Sequence, residues 1–232
     1  MSNELDAISE RYERRKHIAG DRYARLNPAV NAVVQERQTA LIKLFAQQGI
    51  RDLSAHKVLE VGCGSGANLL ELVQLGATPA NLVGNELLPG RLDAARARLP
   101  QDVALYAGDA SKLPLPDASF DMVYQSTVFS SILDDDLQQA LAQKMWSLVR
   151  PGGGVLWYDF TFNNPRNPDV RGVTVSRIRE LFPQGVMSTR RVTLAPPITR
   201  GVVKVRPTLY GVFNALPFLR THVLCWIQKN DV

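Results

Sequence analysis

His56-Lys-Val-Leu-Glu-Val-Gly-Cys-Gly-Ser-Gly-Ala-Asn-Leu-Leu-Glu-Leu72 is the stretch whose reading decides the fold. Lys57 to Val61 is a short apolar run that carries one acid, Glu60. Gly62, Gly64 and Gly66 follow at alternate positions, and from Ala67 the apolar residues Leu69, Leu70, Leu72 and Val73 recur at helical spacing. The pattern predicts a strand, a glycine turn and a helix. Glycine suits a tight turn that a ligand approaches closely, and the helix start behind it offers unpaired N–H groups.

Several readings of the turn compete. A phosphate-cradling P-loop needs Lys-Ser/Thr after its last glycine, and Ala67-Asn68 supplies neither. A dinucleotide turn has the spacing G-x-G-x-x-G, whereas here it is G-x-G-x-G. Glu60 would repel a pyrophosphate and suits a cationic ligand. A plain tight turn in an α/β protein is the remaining alternative. The string Glu60-Val-Gly-Cys-Gly-Ser-Gly66 resembles motif I of the class I S-adenosylmethionine (SAM) dependent methyltransferases, whose cofactor carries a sulfonium and an ammonium. That resemblance implies cofactor contacts at Glu60, Gly62, Cys63, Gly64 and Gly66.

Downstream segments extend the pattern. Asn81 to Glu86 reads as a second strand, ending in an acid about 20 residues after the glycines, where a carboxylate can accept both ribose hydroxyls. Leu87 is expected against the adenine. After a third strand, Val103 to Ala107, comes Gly108-Asp109-Ala110. By resemblance, Asp109 meets the adenine amino group and the Ala110 N–H a ring nitrogen. Lys112 to Asp121 is similar to the family's L-P-F-x-D-x-S-F-D stretch before strand four, which implies that Gln125 to Val128 line the methionine end of SAM. Arg150-Pro-Gly-Gly-Gly154 leads into a fifth strand, Val155 to Phe160. The resemblance spans about residues 55–160. It implies one doubly wound, mostly parallel seven-stranded α/β sheet with an antiparallel last strand, SAM as cofactor and S-adenosylhomocysteine as product.

The flanks are read more coarsely. Residues 4–25 read as one or two charged amphipathic helices with Leu5, Ile8 and Tyr12 on one side; Asn27-Pro28 starts another that Gly49 ends. In the family, residues 1–50 would cover the cofactor, with Tyr12, Arg15 and Tyr23 as candidates at its methionine end. Asp134-Asp135-Asp136 precedes an apolar helical pattern, so it is expected to cap a helix and not to bind metal. A helix near 175–182, a strand near 186–194 and a proline-framed insert, Pro196 to Pro217, precede the last strand, Thr221 to Ile227.

At 232 residues, with 45% apolar and 21% charged residues, the chain is expected to be a single domain, 1–232. No apolar run reaches the roughly 20 residues of a membrane span. Met1 to Arg25 lacks a signal-peptide core, and the two cysteines, Cys63 and Cys225, make no disulfide framework, so a reduced, cytoplasmic setting is expected. The net charge of +5 is uneven: residues 1–160 hold 16 Lys/Arg against 19 Asp/Glu, and residues 161–232 hold 11 against 3. Aromatics are not interleaved with those cations, which argues against nucleic acid and leaves a solvated face or an anionic small-molecule acceptor.

Ligands of open α/β sheets bind beyond the carboxyl ends of the strands. Asp159 reaches that edge, followed by Asn163, Asn164, Arg166 and Asn167, which are ordinary turn formers or, as amides and a guanidinium, contacts for a sugar or anion. Residues 161–220 are therefore expected on the substrate side. The antiparallel last strand would start His222 on the same edge, and a His222–Asp159 pair could take a proton from an acceptor hydroxyl. His17 is the second candidate base, and His56 precedes strand one at the wrong end. The segment Tyr158 to Pro168 resembles that of bacterial methyltransferases of polysaccharide biosynthesis, which implies O-methylation of a sugar or glycan. A natural-product or quinone-like phenol, or an RNA substrate, is the alternative.

Overall fold

The computed structural model describes residues 2–15, 24–165 and 167–231. Seven strands form one sheet: β1 (Val58–Val61), β2 (Leu82–Glu86), β3 (Ala104–Ala107), β4 (Phe120–Ser126), β5 (Val149–Phe160), β6 (Val186–Leu194) and β7 (Arg220–Gln228). Their order is β3-β2-β1-β4-β5-β7-β6. β1 to β5 pair in parallel, and β7 lies antiparallel between β5 and β6, which therefore runs with the others. This is the doubly wound sheet expected from the sequence. β5 begins earlier than expected, at Val149, because Phe120 pairs with Val149 before the register shifts at Met122.

Strand side chains alternate between faces, and the two cores divide accordingly. Leu59, Val61, Val155, Trp157, Val223, Cys225 and Ile227 share one core with helices α5 (Asp135–Leu148) and α6 (Val175–Leu181). Val58, Leu156, Tyr158, Leu224 and Trp226 pack in the other, against α2 (Pro28–Gln47), α3 (Ala67–Gln74) and α4 (Pro89–Arg98). α1 (Ser2–Arg15) lies on the first side, where Ile8 joins that core. α7 (Pro196–Val205) and α8 (Leu209–Asn214) fill the proline-framed insert, and their Val203 and Tyr210 pack with Ala29, Ala32 and Val33 of α2.

Caps explain where the helices begin. Pro28 occupies the first turn of α2, and Asn27 Oδ1 accepts the Ala29 N–H at 3.0 Å. Asp134 Oδ1 accepts the Leu137 N–H at 2.7 Å, while Asp135 and Asp136 face the positive end of the α5 dipole. The acidic run is a helix cap, as its position before an apolar repeat implies.

Candidate active site

The turn after β1 is built from three left-handed glycines, with φ of 63° at Gly62, 58° at Gly64 and 78° at Gly66. A Cβ at Gly62 would lie 2.5 Å from Val128 Cγ2, so the loop after β4 rests directly on the turn. The Cys63 N–H bonds Asn85 O (2.8 Å) at the β2 tip. Glu86 Oε2 accepts the Gly64 N–H (2.8 Å), and Oε1 accepts the Leu88 N–H (2.9 Å), so one carboxylate joins the turn to the start of α4. The guanidinium of Arg91 stands 3.9 Å from it. At the β3 tip, Asp109 Oδ1 accepts the Ser111 N–H (2.9 Å) and hydroxyl (2.7 Å), capping a 3-10 turn. Its Oδ2 is buried and accepts no hydrogen bond; the nearest charge is Lys112 Nζ at 3.7 Å.

These tips enclose a cavity of about 100 Å³. Val61, Gly62, Glu86, Leu87, Asp109 and Ala110 form its floor and one wall, and Ser126, Thr127 and Val128 the next. Ile132 and the α5 residues Leu137 and Leu141 close the apolar side, and Leu5, Ile8 and Tyr12 of α1 make the roof. The roof is tied down by polar contacts. Arg11 Nη2 donates to Glu4 Oε1 (2.6 Å) and Ser131 O (3.2 Å), while Glu4 Oε1 also accepts the Leu133 N–H (2.8 Å). The Tyr12 hydroxyl lies 3.4 Å from Ser131 Oγ, and the Arg91 guanidinium covers the Tyr12 ring at 5.0 Å.

The wall at 127–131 is held from beneath. Phe129 packs on fully buried Trp157 with ring centroids 4.5 Å apart, a contact that contributes about 1 kcal/mol beyond its area. Asp159 Oδ2 accepts the Ser130 N–H (3.1 Å), and Oδ1 the Phe160 N–H (2.9 Å). Burial pushes the Asp159 carboxyl up to about 7, opposed by the Ser130 hydroxyl and by these two backbone bonds.

Several expected site residues take other places. His222 and Asp159 form no pair: Phe160 stands opposite His222 and Asp159 opposite Val223, which puts the two side chains on opposite faces of the sheet. His222 stacks on Tyr158 (5.0 Å), its Nδ1 is 3.0 Å from Thr221 Oγ1, and burial lowers its pKa to about 4. Glu60 also falls on the face away from the cavity. It is fully buried, takes the Asn68 Nδ2 donor (2.6 Å), and burial raises its carboxyl to about 7. The Cys63 thiol points into the second core, where burial raises it to about 12. Of the three turn glycines Gly62 lines the cavity, while Gly64 and Gly66 shape the turn. Gln125 is fully buried and spans from the Val128 N–H (3.1 Å) to Tyr158 O (3.4 Å), so it supports the wall without lining it.

In the loop after β5, Asn163 Oδ1 accepts the Gly172 N–H (2.8 Å) and Asn167 Oδ1 the Asp169 N–H (3.3 Å). Neither they nor Asn164 line the cavity. Arg166, His17 and Tyr23 lie outside the described residues, as does the side chain of Arg15. Sequence reasoning missed Asn85, Arg91, Ile132, Leu137 and Leu141 as cavity residues. The i, i+4 spacing of Leu137 and Leu141 signalled a buried face without indicating what it faces. Among the described residues no three His, Cys, Asp or Glu side chains gather as a metal site.

The sheet order and the cavity at its carboxyl edge are those of the class I methyltransferase fold. Residues 58–153 match the family model described as a methyltransferase domain. The chain is 36% identical over 110 residues to a demethylmenaquinone methyltransferase of Deinococcus radiodurans, covering 46% of this chain and 44% of that protein. It is 29% identical over 115 residues to a tRNA N(3)-cytidine methyltransferase of Gallus gallus, covering 46% and 31%. A SAM-dependent methyltransferase of Thermotoga maritima superposes with a TM-score of 0.60 at 16% identity over 99% of this chain and all of that one. The chain thus has the class I methyltransferase fold, and residues 58–153 within it match a methyltransferase domain. It spans about half the length, or less, of the curated relatives it matches.

Proposed function

We propose that this chain transfers the methyl group of SAM to an apolar ring acceptor of the quinol or phenol type, at the cavity above β1, β2 and β4. The carrying observation is the apolar wall formed by Val61, Leu87, Ile132, Leu137 and Leu141 beside only two carboxylates. The cofactor suits the remaining groups. Asp109 Oδ2, buried without a hydrogen bond, is an acceptor awaiting the adenine amino group. Glu86 keeps lone pairs for the ribose hydroxyls beyond the two backbone N–H groups it accepts. Leu87 and the Ala110 N–H complete the adenine slot, and the backbone at Gly62 admits close approach.

When bound, SAM supplies a methyl carbon already activated by its sulfonium. The protein's task is then to align an acceptor atom with it and exclude water, which is worth about 7–11 kcal/mol in favourable cases. No histidine lines the cavity among the described residues. That favours an acceptor acidic enough to ionise with little help, such as a phenol with a pKa of about 10, over a sugar alcohol. The sugar or glycan acceptor expected from the asparagine-rich loop has less support, since Asn163 and Asn167 spend their amide oxygens inside that loop. The likeness to polysaccharide-biosynthesis enzymes finds no support in the relatives described. A quinone acceptor accords with the Deinococcus relative's name.

The test uses purified protein with methyl-labelled SAM against naphthoquinols, simple phenols, oligosaccharides and tRNA. Label should enter the quinols or phenols, and Asp109→Ala should weaken SAM binding at least tenfold by calorimetry. Label in sugar or tRNA alone would overturn the acceptor, and unchanged affinity in the variant would overturn the cofactor placement.

A further inference from the structure

The insert between β6 and β7 exposes an unusual surface. Nine large hydrophobic residues are exposed among the described residues, and five of them, Val205, Val212, Phe213, Leu216 and Phe218, lie within fourteen positions of one another. Phe218 is 74% and Val205 80% exposed, far beyond what packing would leave. α7 packs on α8, and α8 on the turn Pro217–Leu219, so these side chains share one structural unit. The surrounding charge has a single sign: residues 181–230 contain seven Lys/Arg and no Asp or Glu. Arg200, Lys204 and Arg206 are exposed beside the apolar residues. A groove of about 450 Å³ beside α8 adds Lys43, Arg190 and Arg220 against one acid, Glu36, which already accepts the Thr193 N–H (3.2 Å).

We infer that the α7–α8 surface docks on an anionic lipid bilayer, with Val212, Phe213, Leu216 and Phe218 entering the headgroup boundary and Lys204, Arg206 and their neighbours meeting lipid phosphates. Apolar side chains ringed by cations are what an interfacial segment needs. A second copy of the chain fits poorly, because apposing two such faces brings like charges together. RNA fits less well, since three of the five exposed apolar residues, Val205, Val212 and Leu216, are aliphatic and only Phe213 and Phe218 offer a ring for a base to stack on. No helix among the described residues is long and apolar enough to cross a membrane, so the surface lies on the bilayer and does not span it.

The topology joins this surface to the site. β6 runs parallel to β5, and Leu194 at its carboxyl end pairs with Arg220 at the start of β7. The insert therefore sits on the same sheet edge as Gly62, Glu86 and Asp109. β6 is four strands from β1, roughly 19 Å along that edge at the usual strand spacing. A bilayer under α7–α8 would lie alongside the cavity mouth, where an apolar acceptor could pass from lipid to protein. The docking itself does not depend on the acceptor proposed above.

Vesicle flotation tests it without turnover. The protein should float with vesicles of equal phosphatidylglycerol and phosphatidylcholine at least tenfold more than with phosphatidylcholine alone, and less in about 0.5 M salt. Val212→Asp with Phe218→Asp, both exposed, should lower flotation at least tenfold while leaving SAM affinity and Tm unchanged. Lys204→Glu with Arg206→Glu should act in the same direction. Absence of flotation, or equal flotation by both double variants, would overturn the inference. So would a dimer in sedimentation, or tRNA binding, that the same substitutions abolish. SAM affinity read in parallel keeps a failure of docking distinct from a failure of the cofactor site.

Discussion

Gly62 shows how much one missing methyl group decides. Its φ of 63° costs an L-residue about 1–2 kcal/mol, and an added Cβ would meet Val128 Cγ2 at 2.5 Å. Gly62→Ala should therefore lower stability in urea by about 1–3 kcal/mol and weaken SAM binding. Adding Val128→Ala should recover part of the loss, since it removes the contact but not the dihedral strain. A double-mutant cycle without coupling would show that the loop after β4 does not rest on the turn. Glu60, one pleat away from the cavity, shows the same sensitivity to position. Its carboxylate looks like a cofactor group in sequence, yet it faces the α3 side and takes its hydrogen bond from Asn68.

At the scale of elements, α1 is the piece whose placement makes the cavity a cavity. Its apolar positions Leu5, Ile8 and Tyr12 are legible from spacing, but its seat over β1, β2 and α5 comes from the Arg11–Glu4 bridge to Ser131 O and the Leu133 N–H. Arg11 is 8% exposed, so its charge-assisted bonds are worth about 1.5–3 kcal/mol each. Arg11→Ala should lower global stability by about 1–3 kcal/mol, and hydrogen exchange in residues 2–15 should accelerate at least tenfold. Bound SAM should also leave faster in stopped-flow dilution. Exchange unchanged in α1 would mean that the roof is held by its apolar contacts alone.

For the whole molecule, the pleat distributes polar groups between the two faces, and that distribution sets the response to pH. Burial lowers the His222 pKa to about 4 against an ordinary value of 6.5. Between these values the unfolded chain binds the proton and the folded chain does not. Stability linked to His222 is thus full above about 6.5 and is lost as pH falls towards 4. Asp159, raised to about 7 by burial, acts with the opposite sign, and its contribution is lost as pH rises from about 4 to 7. His222→Phe keeps the ring against Tyr158 and removes the titration. Its Tm should fall less than the parent's between pH 7 and pH 5, with methyl transfer within about threefold of the parent, because His222 lies on the face away from the cavity. A parallel fall in both proteins would show that the imidazole is already solvated.

The sequence alone determined the order of the strands and of the helices up to the proline-framed insert, the glycine turn, the acids at the tips of β2 and β3, and the cap of α5. Each of these depends on local spacing: periodicity, a left-handed turn, or a side chain bonding a backbone two or three positions away. Only tertiary structure decided which residues share a space. Strand alternation and the antiparallel register separated His222 from Asp159 although both sit at one edge. The same alternation turned Glu60 away from the cavity. Packing of distant segments brought α1 and α5 over the tips, and it left the α7–α8 residues uncovered. A pattern along the chain records what a residue prefers beside it in sequence, whereas a site is made by what the fold sets opposite it.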